Sequence, residues 1–211
     1  ELARGEDDQK KLMGQIVKEV AGKEVKDFVK KEFILKLISD AANREKDFKT
    51  LVEVQQSKVA LDVEKVIKCG ELYTERKKEL GAMDFDDLLV NGLRLLREVD
   101  GVREELQEQF LHVLVDEYQD TNSLQAQFTD ILAAKHRNLM VVGDDFQCIY
   151  TWRGAQFENI MEFPDRWEGC RILKLERNYR SVPGVLDVAN VVMKDAPNQF
   201  EKTLRPVRQG G

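Results

Sequence analysis

Over the first eighty residues apolar positions return every three or four places, at Leu12, Ile16 and Val20 and again at Phe33, Leu37 and Ile38, among dense Lys and Glu. That spacing gathers them on one side of a 3.6-residue turn and predicts amphipathic helices. No proline interrupts this region. The stretch "SKVALDVEKVIKCGELYTERKKEL" predicts one long helix that begins near Ser57, buries Val59, Val63, Val66, Ile67 and Leu72, and stops at Gly81. "MDFDDLLVNGLRLLREV" predicts a further amphipathic helix, opened by Asp84, with Leu88, Leu89, Leu93 and Leu96 turned inward.

Beyond residue 110 the pattern changes. "FLHVLVDE", "NLMVVGDD" and "RILKLE" are short runs of Val, Ile and Leu, separated by helical patterns in "SLQAQFTDILAAK" and "PGVLDVANVVMK". Such alternation predicts parallel strands covered by helices, so the fold class is α/β with a mainly helical N-terminal part.

At 211 residues, 42% hydrophobic and 34% charged, the chain has the makeup of a globular protein with room for one or two domains. The net charge of −6 argues superficially against a nucleic-acid partner, but it is unevenly spread. Residues 81–135 carry 4 Lys and Arg against 12 Asp and Glu, whereas residues 1–80 carry 18 against 17 and residues 136–211 carry 11 against 10. Phosphates are met by local basic groups, so an acidic middle leaves DNA binding elsewhere open. Cys69, Cys148 and Cys170 fit neither a disulfide framework nor a zinc site, which points to a reducing, cytoplasmic setting. His112 and His136 lack partners at ligand spacing and are read as strand and surface residues. No apolar run approaches the ~20 residues of a membrane span. The opening "ELARGEDDQKK" has neither a signal-type apolar stretch nor a starting Met, and the chain is expected to have begun elsewhere.

Candidate chemistry lies at the predicted strand ends. In an open parallel sheet, ligands bind beyond the carboxyl ends of strands, where Asp116 and Glu117 follow Val113 to Val115. One carboxylate of such a pair can hold Mg²⁺ while its neighbour takes a proton from an attacking water. The plainer reading is an acidic pair that favours the next helix N-terminus. In "VVGDDFQCIYTWRGA", Gln147 is placed to sense a phosphate or its attacking water, and Tyr150 and Trp152 to stack on bases; an ordinary core role is the alternative for Trp152. In "LERNYRS", Arg180 could stabilise charge on a transferring phosphate, or be a surface arginine, and Tyr179 could stack on a base or pack a domain seam.

Taken in order and spacing, "VDEYQDTN", "VVGDDFQCIYTWRGA" and "LERNYRS" resemble motifs II, III and IV of the UvrD/Rep/PcrA-type superfamily 1 DNA helicases, and the resemblance is most specific from Phe85 to Arg208. It implies that Asp116 ligates Mg²⁺, Glu117 is the catalytic base, Gln147 senses the γ-phosphate, Arg180 contacts phosphate and Tyr179 packs on adenine. Tyr150, Trp152 and Arg153 would line the track for single-stranded DNA, and Phe85 would add a further DNA-contacting aromatic, with packing at a helix start as its plainer role. Phe146 and Cys148 depart from the pattern, standing where many relatives carry a small or polar residue and a Ser.

No G-x-x-x-x-G-K-[ST] loop occurs in the chain; Gly22-Lys23 is followed by Glu24 and lacks the earlier glycine. The resemblance places that Walker A loop before residue 1 and motifs V and VI after residue 211. The expected architecture is therefore a partial RecA-like (P-loop NTPase) sheet: a helical insertion over 1–80, the distal part of a first RecA-like domain over 81–168, and the start of a second over 169–211. The implied function is part of an ATP-dependent 3′-to-5′ helicase that uses ATP and Mg²⁺ to move along single-stranded DNA and open duplex. Its implied setting is repair or replication in a bacterial-type cytoplasm, at the nucleoid. Two alternatives stand beside it, a non-catalytic DNA-binding or interaction module on the same scaffold and part of a helicase–nuclease.

Overall fold

The computed structural model describes residues 5–26, 28–58, 61–150 and 154–208. The chain divides into two compact units, one formed by residues up to Val113 with Asn122–Leu139, the other by Leu114–Thr121 with residues from Met140 onward.

In the first unit the helices follow from their caps and apolar stripes. Helix α1 (Glu6–Ala21) opens on three acids, Glu6, Asp7 and Asp8, which suit the positive end of a helix dipole, and gives way at Gly22, whose φ is 55°. Helix α2 (Lys31–Asn43) and helix α3 (Phe48–Gln56) follow, the latter capped by Asp47, which accepts from Thr50 N at 2.8 Å. Helix α4 runs over Val63–Glu79. Met13, Ile16 and Val17 of α1, Ile34 and Leu37 of α2, Val52 of α3, and Val66, Cys69 and Tyr73 of α4 form one buried core.

The helix expected from Ser57 is a single helix, α4, but it begins later than expected. Ser57 ends α3, its hydroxyl donating to Val54 O at 2.8 Å, and α4 starts six residues later at Val63 because the Asp62 carboxylate accepts from Lys65 N. Leu61 is buried in the connection, so the chain turns there to bring an apolar side chain inward. Val59, assigned to the buried face, lies outside the described residues. Gly81 does mark the stop, with φ 56° just past the C-cap Leu80.

Helix α5 (Phe85–Glu98) opens at Asp84 as expected, through a capping box in which Asp84 and Asp87 each accept from the other's backbone N–H at 2.9 Å. Leu93 and Leu96 are buried and Leu89 half-buried, but Leu88 is exposed. Four leucines span a wider arc than the neighbouring helices cover. Helix α6 (Asp100–Gln109) and helix α7 (Ser123–Ala133) pack on α5, with Phe128 of α7 lying over Gly92. Asn122 caps α7 by a second capping box with Gln125 and donates from Nδ2 to Asn43 Oδ1 at 2.6 Å; Asn43 in turn donates to Asp86 at 2.9 Å.

Strands β1 (Val113–Val115) and β2 (Leu139–Val141) form a two-stranded sheet, and the division between the units falls within both. Val113 N donates to Asn138 O at 2.9 Å and Val142 N to Val115 O at 2.8 Å, the partners climbing in the same direction as parallel strands require. The second unit continues with short helices α8 (Phe157–Met161) and α9 (Phe163–Arg166), strand β3 (Arg177–Asn178), helix α10 (Pro183–Met193) and strand β4 (Arg205–Pro206). β3 and β4 pair in parallel, Arg177 beside Arg205.

The mixed α/β class therefore stands, in a mostly helical chain whose described strands make two small parallel sheets. The strand expected over "RILKLE" is displaced. Pairing begins only at Arg177, because the one neighbouring strand among the described residues, β4, reaches no further back, and Ile172, Leu173 and Leu175 are left exposed. No helix among the described residues is long and apolar enough to cross a membrane.

Candidate functional site

The second unit carries the acidic pair. Directly after β1 the chain makes a tight turn, Tyr118 N donating to Val142 O and Asp120 N to Glu117 O, both at 2.9 Å. A 3₁₀ turn over Tyr118–Asp120 results. Its pivot is Glu117, whose backbone is left-handed at φ 51° and ψ 42°. A residue with a Cβ adopts that region at a cost of order 1–3 kcal/mol, and such strain gathers where side chains must be aimed.

The turn sorts its side chains by function. Asp116 and Glu117 are exposed, while Tyr118 and Gln119 are 0% and 1% exposed. Tyr118 anchors the turn from below, its ring edge-on to Phe163 at 5.4 Å and its hydroxyl accepting from Arg166 at 2.8 Å. Asp116 Oδ1 accepts from Glu117 N at 2.9 Å, which fixes one of its oxygens. Thr121 closes the turn, its hydroxyl donating to Tyr118 O at 2.6 Å. Asp120 faces inward, and its Oδ1 is buried without a hydrogen-bond partner among the described residues. Burial, and then the Glu117 charge, push the Asp120 carboxyl above its ordinary range.

From this turn a continuous hydrogen-bond path leads to Gln147. Gln119 Nε2 donates to Glu117 Oε2 at 2.7 Å, and Gln119 Oε1 accepts from Asp144 N at 3.0 Å. The Asp144 carboxylate accepts from Phe146 N at 3.1 Å and from Gln147 Nε2 at 2.8 Å. Lys202 completes the cluster, donating to Asp144 Oδ1 at 2.6 Å, pairing with Asp145, and standing 4.2 Å from the centre of the Phe146 ring. Burial opposes charge on Asp144, but the bonds from Lys202, Gln147 and the Phe146 amide outweigh it and hold the carboxyl below its usual range. Burial likewise opposes charge on Lys202, and its two aspartates reverse this and raise it.

The other predicted residues are placed unequally. Tyr179 is 70% exposed and Arg180 is exposed, on a turn after β3 in which Asn178 Oδ1 accepts from both Arg180 N and Ser181 N, at 3.0 and 2.8 Å. Tyr150 is part-exposed, its carbonyl accepting from Ala155 N at 3.3 Å. Trp152 and Arg153 lie outside the described residues. Phe85 belongs to the first unit, at the first position of α5, and is 60% exposed. A residue whose large apolar side chain stands out in this way contributes little to the packing of its helix start, which leaves its ring available. Sequence reasoning missed Gln119 and Lys202. Gln119 offered a faint signal, an amide two places after the acids where a turn buries every side chain that does not point out. Lys202 offered none, because its partners lie 57 and 58 residues away.

An acidic turn beyond a parallel strand, joined by side-chain amides to a second strand-end loop, is the placement that α/β proteins use for ligand chemistry. Comparison with known proteins narrows the class to the helicases. Residues 2–168 match the model of the UvrD/REP helicase N-terminal domain. A probable DNA helicase II homolog of Rickettsia conorii is 37% identical over 209 residues, 97% of this chain and 31% of the relative. The ATP-dependent DNA helicase Rep of Escherichia coli is 36% identical over 174 residues, 82% of this chain and 26% of the relative. The ATP-dependent DNA helicase PcrA of Staphylococcus aureus is 35% identical, with 82% of this chain and 24% of the relative covered. The chain belongs to the UvrD/REP helicase family, and it spans roughly a quarter to a third of the length of these relatives.

Proposed function

We propose that this chain is part of an ATP-dependent 3′-to-5′ DNA helicase, in which it supplies the acidic pair and phosphate sensor of the ATPase site and part of the track for single-stranded DNA. The domain reading that goes with this is a helical insertion over 1–80, the distal part of a first RecA-like domain over 81–168 and the start of a second from 169. The observation that carries the proposal is the exposed Asp116–Glu117 pair held at the end of β1 and linked through Gln119 and Asp144 to Gln147. Family membership and the names of the relatives, ATP-dependent DNA helicases, support ATP and DNA as the substrates.

Glu117 serves as the base that takes a proton from the attacking water, since its Oε1 is not used by Gln119 and its side chain reaches solvent. Gln147 orients that water or the γ-phosphate by hydrogen bonding. Arg180 stabilises charge on the transferring phosphate, and Tyr179 stacks on adenine with a ring already free of burial. Tyr150, Trp152, Arg153 and Phe85 contact DNA, each aromatic stack contributing roughly 1–3 kcal/mol per base.

The residues fit Mg²⁺. Mg²⁺ characteristically takes one or two carboxylates and keeps waters and substrate phosphates as its other ligands, which an exposed acidic turn can supply. Asp116 would hold it by the oxygen not engaged by Glu117 N. When bound, the ion neutralises phosphate charge.

The test is Glu117→Gln in the complete polypeptide, assayed for DNA-stimulated phosphate release and for nucleotide and DNA binding. The amide keeps size and hydrogen bonding but accepts no proton, so turnover should fall by a factor of about 10²–10⁴ while both binding constants stay within a fewfold. Normal turnover by the variant would remove the base assignment.

A further inference from the structure

Glu117 alone does not explain its own placement. Its backbone is strained and its carboxylate is exposed, so the backbone of the turn alone does not restrict the side chain to one rotamer. Resting on the reading of Glu117 as the base, we propose that Gln119 is a positioning residue for ATP hydrolysis, one that locks the Glu117 carboxylate in place by tying it to the backbone of the loop that carries Gln147.

Three observations support it. First, the Gln119 amide uses both of its ends, donating from Nε2 to Glu117 Oε2 at 2.7 Å and accepting at Oε1 from Asp144 N at 3.0 Å. The donor fixes one carboxylate oxygen and leaves the other for water. The acceptor fixes the amide itself, so it cannot flip without setting an NH₂ group against the Asp144 N–H. Second, Gln119 is 1% exposed. At such a position water cannot replace a lost bond, and every polar atom of the amide must be matched by protein. Third, the loop is shaped around it. A Cβ on Gly143 would stand 2.6 Å from Gln119 Oε1 and 2.7 Å from Ile160 Cδ1, so any larger residue here would have to displace the amide from its present position or move Ile160. The left-handed turn at Glu117 supplies the counterpart by bringing a side chain back over the residue two places on.

A merely structural glutamine would need its two bonds but would not care that one partner is the base. The distinction can be measured in the complete polypeptide with two variants. Gln119→Glu keeps the shape and an acceptor for Asp144 N but loses the donor to Glu117, and Gln119→Met keeps the length and loses both. Each is compared with wild type, with Glu117→Gln and with the corresponding double variant for kcat, KM for ATP, affinity for a fluorescent ATP analogue, and thermal melting.

The expected result is an about ten- to hundredfold loss of kcat in each single variant, the worth of one hydrogen bond to a charged group, with KM and analogue affinity within threefold of wild type. A double variant with Glu117→Gln should be no slower than Glu117→Gln alone, because a residue that acts through the base has nothing to add once the base is gone. Wild-type kcat in either folded variant would overturn the proposal, as would a double variant whose losses multiply. Failure of both variants to melt cooperatively would make Gln119 a core residue and overturn it too. Normal turnover by Glu117→Gln is a different failure, which strikes the function assigned to Glu117 and shows itself before any Gln119 variant is considered.

Discussion

At the scale of single residues, the most demanding electrostatics sit where α4 meets the start of α5. Lys77 donates to Asp84 at 2.7 Å and to Asp87 at 2.6 Å, Tyr73 donates its hydroxyl to Asp84 at 3.1 Å, and Lys77 stands 4.6 Å from the Tyr73 ring centre. Burial would raise Asp84, but Lys77, the Asp87 amide and the Tyr73 hydroxyl together hold it below the ordinary carboxylate range. Burial drives the Tyr73 phenol strongly upward. A carboxyl depressed in the folded state adds stability above its unfolded value of about 3.9, and that contribution fades as pH falls through the lower folded value. The melting temperature should therefore drop as pH is taken below about 4, and Asp84→Asn should flatten that drop. Lys77→Met should cost about 3–5 kcal/mol at pH 7 by stranding two carboxylates, read from urea unfolding. A loss under 1 kcal/mol would mean that water reaches the cluster.

Among the elements, α3 and α4 approach each other closely at Gly70. Gly70 of α4 faces Phe48 of α3, and an added Cβ would lie 2.3 Å from the ring, closer than any real contact allows. Gly70 is thus a packing choice that outweighs the roughly 1 kcal/mol a mid-helix glycine costs. Gly70→Ala should destabilise by about 1–3 kcal/mol in spite of alanine's better helix propensity. Phe48→Leu, destabilising on its own, should partly restore the double variant, as a shared steric conflict requires. Stabilisation by Gly70→Ala in chemical unfolding would show that the ring yields freely. Asn43 plays a comparable part between α2, α5 and the cap of α7, where its amide is bonded to Asp86 and Asn122. The last residue of "DEYQDTN" is thereby a structural cap, distinct in role from the acids at the front of the same motif.

For the molecule as a whole, the chemistry proposed here needs more than these 211 residues contain. In the proposed chemistry Asp116, Glu117 and Gln147 address a metal, a water and a γ-phosphate, while the sequence holds no G-x-x-x-x-G-K-[ST] loop, whose backbone and lysine are what cradle β- and γ-phosphates in P-loop enzymes. The chain by itself should show no phosphate release above background, with or without single-stranded DNA. Turnover that is lost in Glu117→Gln would refute this and mean that phosphates are held by groups with no resemblance to that loop.

Much of this was legible in the residues alone. Helices α1, α5, α7 and α10 follow from apolar periodicity, the caps of α5 and α7 are written within three positions, and the motifs that mark the family are contiguous. What proved illegible involved partners distant in the chain. Leu88 and Leu93 look alike in sequence, and only the neighbouring helices decide which is covered. "RILKLE" has the composition of a strand, yet pairing waits for a partner near Arg205. Gln119 meets Asp144 across 25 residues and Lys202 meets Asp144 across 58, so no local pattern announces either. Sequence by itself determined the local conformations and the chemical identity of the acids, because backbone preference and capping act within a turn or two. Tertiary structure decided which side chains are buried, and which amide holds Glu117, because burial and hydrogen-bond satisfaction are settled only when separate segments meet.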